Sequence, residues 1–142
     1  MAGFRKKAVA LSAVCLLSGL AIYVFLRTDT YFHAMLPDAA RDFFGGISNS
    51  VPSNLFTGFL RYYFVDFLWG ASLTFALCAV SHEIKRKNII ISALVSLAVG
   101  ILFEFAQLFS LVSGTFDFAD IAMYVAASAL CAAICLKFFR VR

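Results

Sequence analysis

Four stretches of this chain stay apolar for nineteen residues or more, and the small and polar side chains inside them recur every three or four positions. A helix crossing a bilayer needs about 20 mainly apolar residues, so the pattern predicts spans at 8–26, 62–80, 89–112 and 119–139. The first carries Ser12, Cys15 and Gly19 on one stripe, and the second Asp66, Gly70, Thr74 and Cys78. The third carries Ser92, Ser96, Gly100, Glu104 and Gln107, and the fourth Asp120, Tyr124, Ala127, Cys131 and Cys135. Residues so spaced share a helix face, and in lipid the faces rich in small residues are where helices meet. The expected fold is an all-α membrane protein, a four-transmembrane-helix bundle with the stripes turned inward, built as one domain over residues 1–142.

The connections differ sharply in length. Between the first two spans lie 35 residues, 27–61, whereas SHEIKRKN and SGTFDF are tight links. In the long connection, PDAARDFFGGI predicts a short helix entered at Pro37 and broken at Gly45–Gly46. Ser53, after Pro52, is the expected N-cap of a further segment, SNLFTGFLRYY, that is apolar enough to lie in the membrane interface. Tyr31, Phe32, Phe43, Phe44, Phe56, Phe59, Tyr62 and Tyr63 crowd this region as interfacial belts do. Short interfacial helices are therefore expected here, either as surface anchors or as a lid over a site.

Composition agrees with lipid as the main solvent: 63% hydrophobic, 14% charged and 17 Phe, against about 45–50% apolar and about 25% charged for soluble domains. The net charge of +4 matters less than its placement. Nine of the twelve basic residues (Arg5, Lys6, Lys7, Lys85, Arg86, Lys87, Lys137, Arg140, Arg142) fall at one side of the predicted spans. The positive-inside rule makes that side the cytoplasm and puts both termini there. Arg27, Arg41 and Arg61 fall on the other side, offset by Asp29, Asp38 and Asp42. No basic run interleaved with aromatics is present, so nucleic acid is not an expected partner; the lipid bilayer is. The first span imitates a secretory signal, but its apolar run is too long and no polar mature start follows, so it reads as an uncleaved span. Cys15, Cys78, Cys131 and Cys135 all lie in apolar segments and read as packing residues. Neither a metal-ligand spacing nor a cofactor motif occurs, and no cofactor is expected.

Candidate chemistry lies in the acids. Four of the eight, Asp66, Glu104, Asp117 and Asp120, sit inside or at the ends of predicted spans, where an ionised carboxylate costs at least a few kcal/mol. With the orientation above, Asp66 lies about 7 Å outward of its span's midpoint and Glu104 about 5 Å, with Gln107 a turn higher. Asp117 and Asp120 sit at the outer mouth of the fourth span. Asp66, Glu104, Gln107, Asp117, Asp120 and Tyr124 are therefore expected to form one polar pocket in the outer half of the membrane. A purely structural arrangement is the alternative: Asp117 as a first-turn acid near the N-cap, and a protonated Glu104 bonded to Gln107 or Tyr124. Clustered carboxylates also call for a neutralising partner, a cation or Arg61.

Glu104-x-x-Gln107 at the end of one apolar helix, followed by Gly114-Thr115-Phe116-Asp117-x-x-Asp120 opening the next with Tyr124 beyond, resembles the VanZ-like family of small bacterial membrane proteins. The resemblance covers mainly residues 60–139. Asp66-Phe67-Leu68-Trp69 is similar to a variant of the family's earlier polar helix, without the Lys/His-containing motif of many members, so no His-dependent role carries over. The resemblance implies a multi-pass protein of the bacterial cytoplasmic (inner) membrane, a role at the cell envelope with a lipid-linked or cell-wall ligand, and altered glycopeptide (teicoplanin) sensitivity. It implies no settled reaction. Two other classes stay open. One is a membrane-embedded enzyme using the carboxylates, with or without a divalent metal. The other is a small proton-coupled transporter, for which acids nearer the midplane are expected.

Overall fold

A computed structural model of the chain describes residues 2–28, 30–83 and 85–138; Asp29 and the basic pair Arg140 and Arg142 lie outside the described residues. Every regular element among the described residues is helical: α1 (Ala2–Leu26), α2 (Tyr31–Ala34), α3 (Asp38–Ser50), α4 (Leu55–Phe59), a π-helical turn (Leu60–Phe64), α5 (Val65–Val80), α6 (Arg86–Leu108) and α7 (Phe118–Phe138). Four helical stretches are long and apolar enough to cross a membrane, Gly3–Leu26, Leu55–Val80, Arg86–Leu108 and Phe118–Lys137.

The four long helices alternate in direction, and α5 is the hub, packed against α1, α6 and α7, while α6 and α7 also pack on each other. The predicted stripes are the buried faces. Gly70, Thr74 and Cys78 of α5 are buried, as are Ser92, Ser96, Gly100 and Glu104 of α6. Ala127, Cys131 and Cys135 of α7 join Phe4, Ala8, Phe75 and Ile89 in the apolar core at the end opposite the acids. All four cysteines are free thiols, three of them buried. Outward faces carry exposed Leu16, Leu17, Leu94, Val99, Leu102 and Leu130, as expected for side chains that meet hydrocarbon rather than water.

Small residues set the helix spacing. An added Cβ at Gly19 would stand 2.8 Å from Cδ1 of Trp69, so the Trp69 indole lies flat on α1 at that position. The Ser12 hydroxyl donates to the Ser72 carbonyl (2.9 Å), and the Ser72 hydroxyl donates back to the Ser12 carbonyl (3.0 Å), joining α1 to α5. Ser96 Oγ of α6 donates to the Gly70 carbonyl at 3.0 Å, where Thr74 Oγ1 also donates at 2.9 Å. Bonds of this kind average about 0.6 kcal/mol each in membrane bundles, so they tune register more than they hold the bundle together.

The second long helix begins at Leu55, seven residues before the expected Tyr62, so most of SNLFTGFLRYY is part of it rather than a separate interfacial segment. Three further boundaries depart from the sequence pattern. First, α6 ends at Leu108, short of Val112. Ser110 takes φ 55°, Leu111 N–H reaches the Ala106 carbonyl (2.8 Å) and Ser110 N–H the Gln107 carbonyl (2.9 Å). That bond pair is a Schellman stop, with serine where glycine is the usual signal. Second, α3 is not broken at Gly45–Gly46 but runs to Ser50. Tertiary bonds override the glycines: Ser48 Oγ donates to the Leu26 carbonyl (3.1 Å), and Arg61 Nη2 donates to the Ser48 carbonyl (2.8 Å). Third, the cap of α4 is Asn54, not Ser53. Asn54 Oδ1 accepts from Thr57 N–H (2.9 Å) while Thr57 Oγ1 accepts from Asn54 N–H (3.0 Å), a reciprocal capping box.

The long connection is stitched to the end of α1. His33 is 1% exposed, with Nε2 2.9 Å from the Val24 carbonyl and Nδ1 2.9 Å from Thr30 Oγ1. A carbonyl only accepts, so Nε2 donates to it, and Nδ1 and the Thr30 hydroxyl share the second bond. Arg41 wraps over this turn, donating to the carbonyls of His33 and Leu36 at 3.3 and 3.0 Å. At the opposite end of the bundle, Arg5 Nη2 donates to the carbonyls of Ser81 and His82 (2.9 and 3.1 Å), tying α1 to the α5–α6 link.

Candidate functional site

Where the C-terminal ends of α1 and α6 meet the N-terminal ends of α5 and α7, the helices enclose a cavity of about 560 Å³. That is within the usual range for small-molecule sites, about 300–1,000 Å³. Its wall is assembled from residues at helical spacing: Tyr23 of α1 with Arg27 just past its end, Asp66 and Trp69 of α5, and Phe103, Glu104 and Gln107 of α6. Asp117 and Asp120 flank the start of α7, the Ser113–Thr115 segment closes one side, and Tyr62 and Tyr63 enter from the π turn.

Five of the six candidate residues thus line one cavity. The sixth, Tyr124, is 7% exposed and supports the wall from behind. Its hydroxyl donates to Asp66 Oδ1 at 3.0 Å. Its ring is slotted between two helices that carry no side chain there. An added Cβ at Gly70 would meet Tyr124 Cδ1 at 3.0 Å, and one at Gly100 would meet Cγ at 2.5 Å. The glycines admit the ring, and the ring aims the hydroxyl.

Glu104 is 1% exposed, the most deeply set of the four acids. Its partner is neither Gln107 nor Tyr124, the two that the purely structural alternative gives it. Oε2 accepts the backbone N–H of Asp117 at 3.2 Å, which pins the α6–α7 link to α6. The early stop of α6 explains the difference: once the chain turns at Ser110, the link folds back over the end of α6 and brings its own N–H groups to the carboxylate. Asp117 in turn caps α7, with Oδ1 accepting from Ala119 N–H at 2.8 Å, so its first-turn role and its place in the wall coexist. Gln107 lies beside Gly114, where φ is +140° and an added Cβ would fall 2.5 Å from Gln107 Oε1, the free end of its side chain. The backbone conformation is what calls for glycine there.

The cation of the cavity is Arg27, not Arg61. Arg61 is drawn off to the Ser48 carbonyl. The Arg27 guanidinium lies over the rings of Tyr23 and Tyr62, at 5.8 and 5.5 Å from their centroids, within cation–π range. Nothing in the hydrophobicity pattern marks it. The available signal was its position four residues after Tyr23, at the same end of the bundle as the acids. Among the described residues of 27–61, Arg27 alone lines the cavity, and α3 packs on α1.

Two polar atoms at this site are buried without a hydrogen-bond partner: Asp120 Oδ1 and Arg27 Nε. The ion pairs Arg41–Asp38 and Lys85–Glu83 both lie elsewhere. Among the described residues, no three His, Cys, Asp or Glu side chains converge closely enough to hold one metal ion; the carboxylates surround the cavity rather than meeting at a point. The arrangement suits recognition of a group that donates several hydrogen bonds or carries positive charge. In comparisons with known proteins, no family model, no curated protein and no solved structure matches this chain.

Proposed function

We propose that this chain is a multi-pass protein of the bacterial cytoplasmic membrane whose acidic cavity binds a polar or cationic group of an envelope component, such as a lipid-linked or cell-wall molecule. The observation that carries the reading is the cavity itself: four carboxyl side chains and Gln107 border one space, opposed by a single guanidinium. Asp120 Oδ1, buried and bare, is the acceptor that a ligand donor would complete, since a buried acceptor without a partner costs about 1–3 kcal/mol.

In this reading both termini face the cytoplasm, because Arg5, Lys6, Lys7 and Lys85–Lys87 lie at the end opposite the cavity. The cavity then opens in the outer half of the bilayer. Helices α2 and α3 of the connection lie in the outer interface, where exposed Met35 and Phe43 meet lipid. Placement at the outer leaflet, together with the VanZ-like spacing of Glu104, Gln107, Asp117 and Asp120, extends the proposal to glycopeptide sensitivity.

The test is susceptibility to teicoplanin in cells expressing wild type, Glu104→Gln or Asp120→Asn at matched membrane levels. Loss of the phenotype in both variants, with folding intact, supports the cavity as the working site. Variants that insert, fold and act like wild type remove the carboxylates from the function.

A further inference from the structure

Beside the polar cavity lies a second, nearly apolar groove of about 170 Å³ between α5 and α6, lined by Trp69, Leu73, Val99, Phe103 and Tyr124 over Gly70 and Gly100. Trp69 and Phe103 belong to both walls, so the two spaces adjoin. Tyr124 divides them: its ring faces the groove, and its hydroxyl serves Asp66 on the cavity side. Val99 and Phe103 are 47% and 48% exposed on the outward face of α6, so the groove opens sideways toward the bilayer. A ligand reaching the cavity along this path meets hydrocarbon-compatible surface first and carboxylates last.

Resting on the cavity reading above, we infer that the ligand is a membrane amphiphile with a cationic, hydrogen-bond-donating head and an apolar tail. The head occupies the acidic cavity, and the tail lies in the α5–α6 groove. Charge complementarity argues for the head: Asp66, Glu104, Asp117 and Asp120 outnumber Arg27, and Arg27 is already engaged with the rings of Tyr23 and Tyr62. Adjacency to an apolar, laterally open groove, with Trp69 and Phe103 in both walls, argues for the tail.

Trp69 is the chain's one tryptophan and borders both spaces, so its fluorescence reports on each. The purified protein in detergent is titrated with three probes: a long-chain primary alkylammonium brominated along its tail, the brominated alcohol of equal length, and propylammonium. The brominated ammonium is expected to quench Trp69 at a concentration at least about tenfold below that of the alcohol. Propylammonium shifts the emission and competes, without quenching. Val99→Phe, which fills the groove, weakens the long-chain ammonium about tenfold, the worth of about two buried methylenes, and leaves propylammonium unchanged. Asp120→Asn weakens both ammonium probes. Equal quenching by the alcohol, or indifference of the long-chain probe to Val99→Phe, overturns the amphiphile inference while propylammonium binding keeps the cavity reading standing. If propylammonium neither shifts the emission nor competes, both fail.

Discussion

Gly100→Ala is the sharpest probe of how the site is built. The new methyl would start 2.5 Å from Cγ of Tyr124, whereas carbon atoms pack at about 3.5–4.0 Å. The ring must withdraw by about 1 Å. Retreat from α6 drives the ring toward α5, which carries both Gly70 and Asp66, so the 3.0 Å bond from the Tyr124 hydroxyl to Asp66 Oδ1 is distorted. Overpacking costs about 1–3 kcal/mol, and weakening of the Tyr–Asp bond adds to it. Against this, alanine is the better helix former by about 1 kcal/mol. The two penalties share one displacement and do not add fully, so a net loss of about 1–3 kcal/mol is expected. The assay is reversible unfolding in mixed micelles followed by Trp69 fluorescence, with the substitution made in wild type and in Tyr124→Ala. Without the ring the clash disappears, and Gly100→Ala should become neutral or stabilising by up to about 1 kcal/mol. A neutral effect in wild type, or the same loss in both backgrounds, would refute the slot.

Other substitutions test the remaining joints. Ser110→Gly should stabilise the fold by about 0.5–1 kcal/mol in the same assay, because a left-handed backbone strains serine and suits glycine. Gly114→Ala should cost about 1–3 kcal/mol through its positive φ; adding Gln107→Ala should recover little, because the end of the Gln107 side chain can swing aside. Asn54→Ala removes the capping box of α4 at about 1 kcal/mol locally. Amide exchange at Leu55–Thr57 should accelerate, while global unfolding, which depends on the bundle core, stays where it was.

The spans and stripes were readable because lipid imposes a simple rule: apolar length makes a helix, and small or polar residues at its spacing mark the inward face. Ser92, Ser96, Gly100 and Glu104 follow that rule, and the face leads directly to the cavity. Departures arose where one local interaction outweighed a composition signal. Ser110 ends α6 through two backbone bonds that leave no Gly or Pro in the sequence. Gly45–Gly46 stay helical because Ser48 and Arg61 brace the far end of α3. The π turn at Leu60–Phe64, which brings Tyr62 and Tyr63 to the cavity, has no residue signature. The choice of Arg27 over Arg61 depends on where Ser48 happens to lie, which is settled by packing between distant segments.

The paired hydroxyls of Ser12 and Ser72 act as a ruler. In hydrocarbon, the face of α1 rich in Leu, Val and Ala could slide along α5 by one turn, about 5.4 Å, at little cost in apolar contact. The two donor–carbonyl bonds hold at one register alone. Arg27 lies fifteen residues beyond Ser12, just past the end of α1, about 22 Å at helical rise, so the depth of its guanidinium is set from the middle of the helix. A one-turn slip would withdraw the one basic group from among the acids or push it through the wall. The electrostatic balance of the cavity is thus set at a distance, by two serines that never approach it.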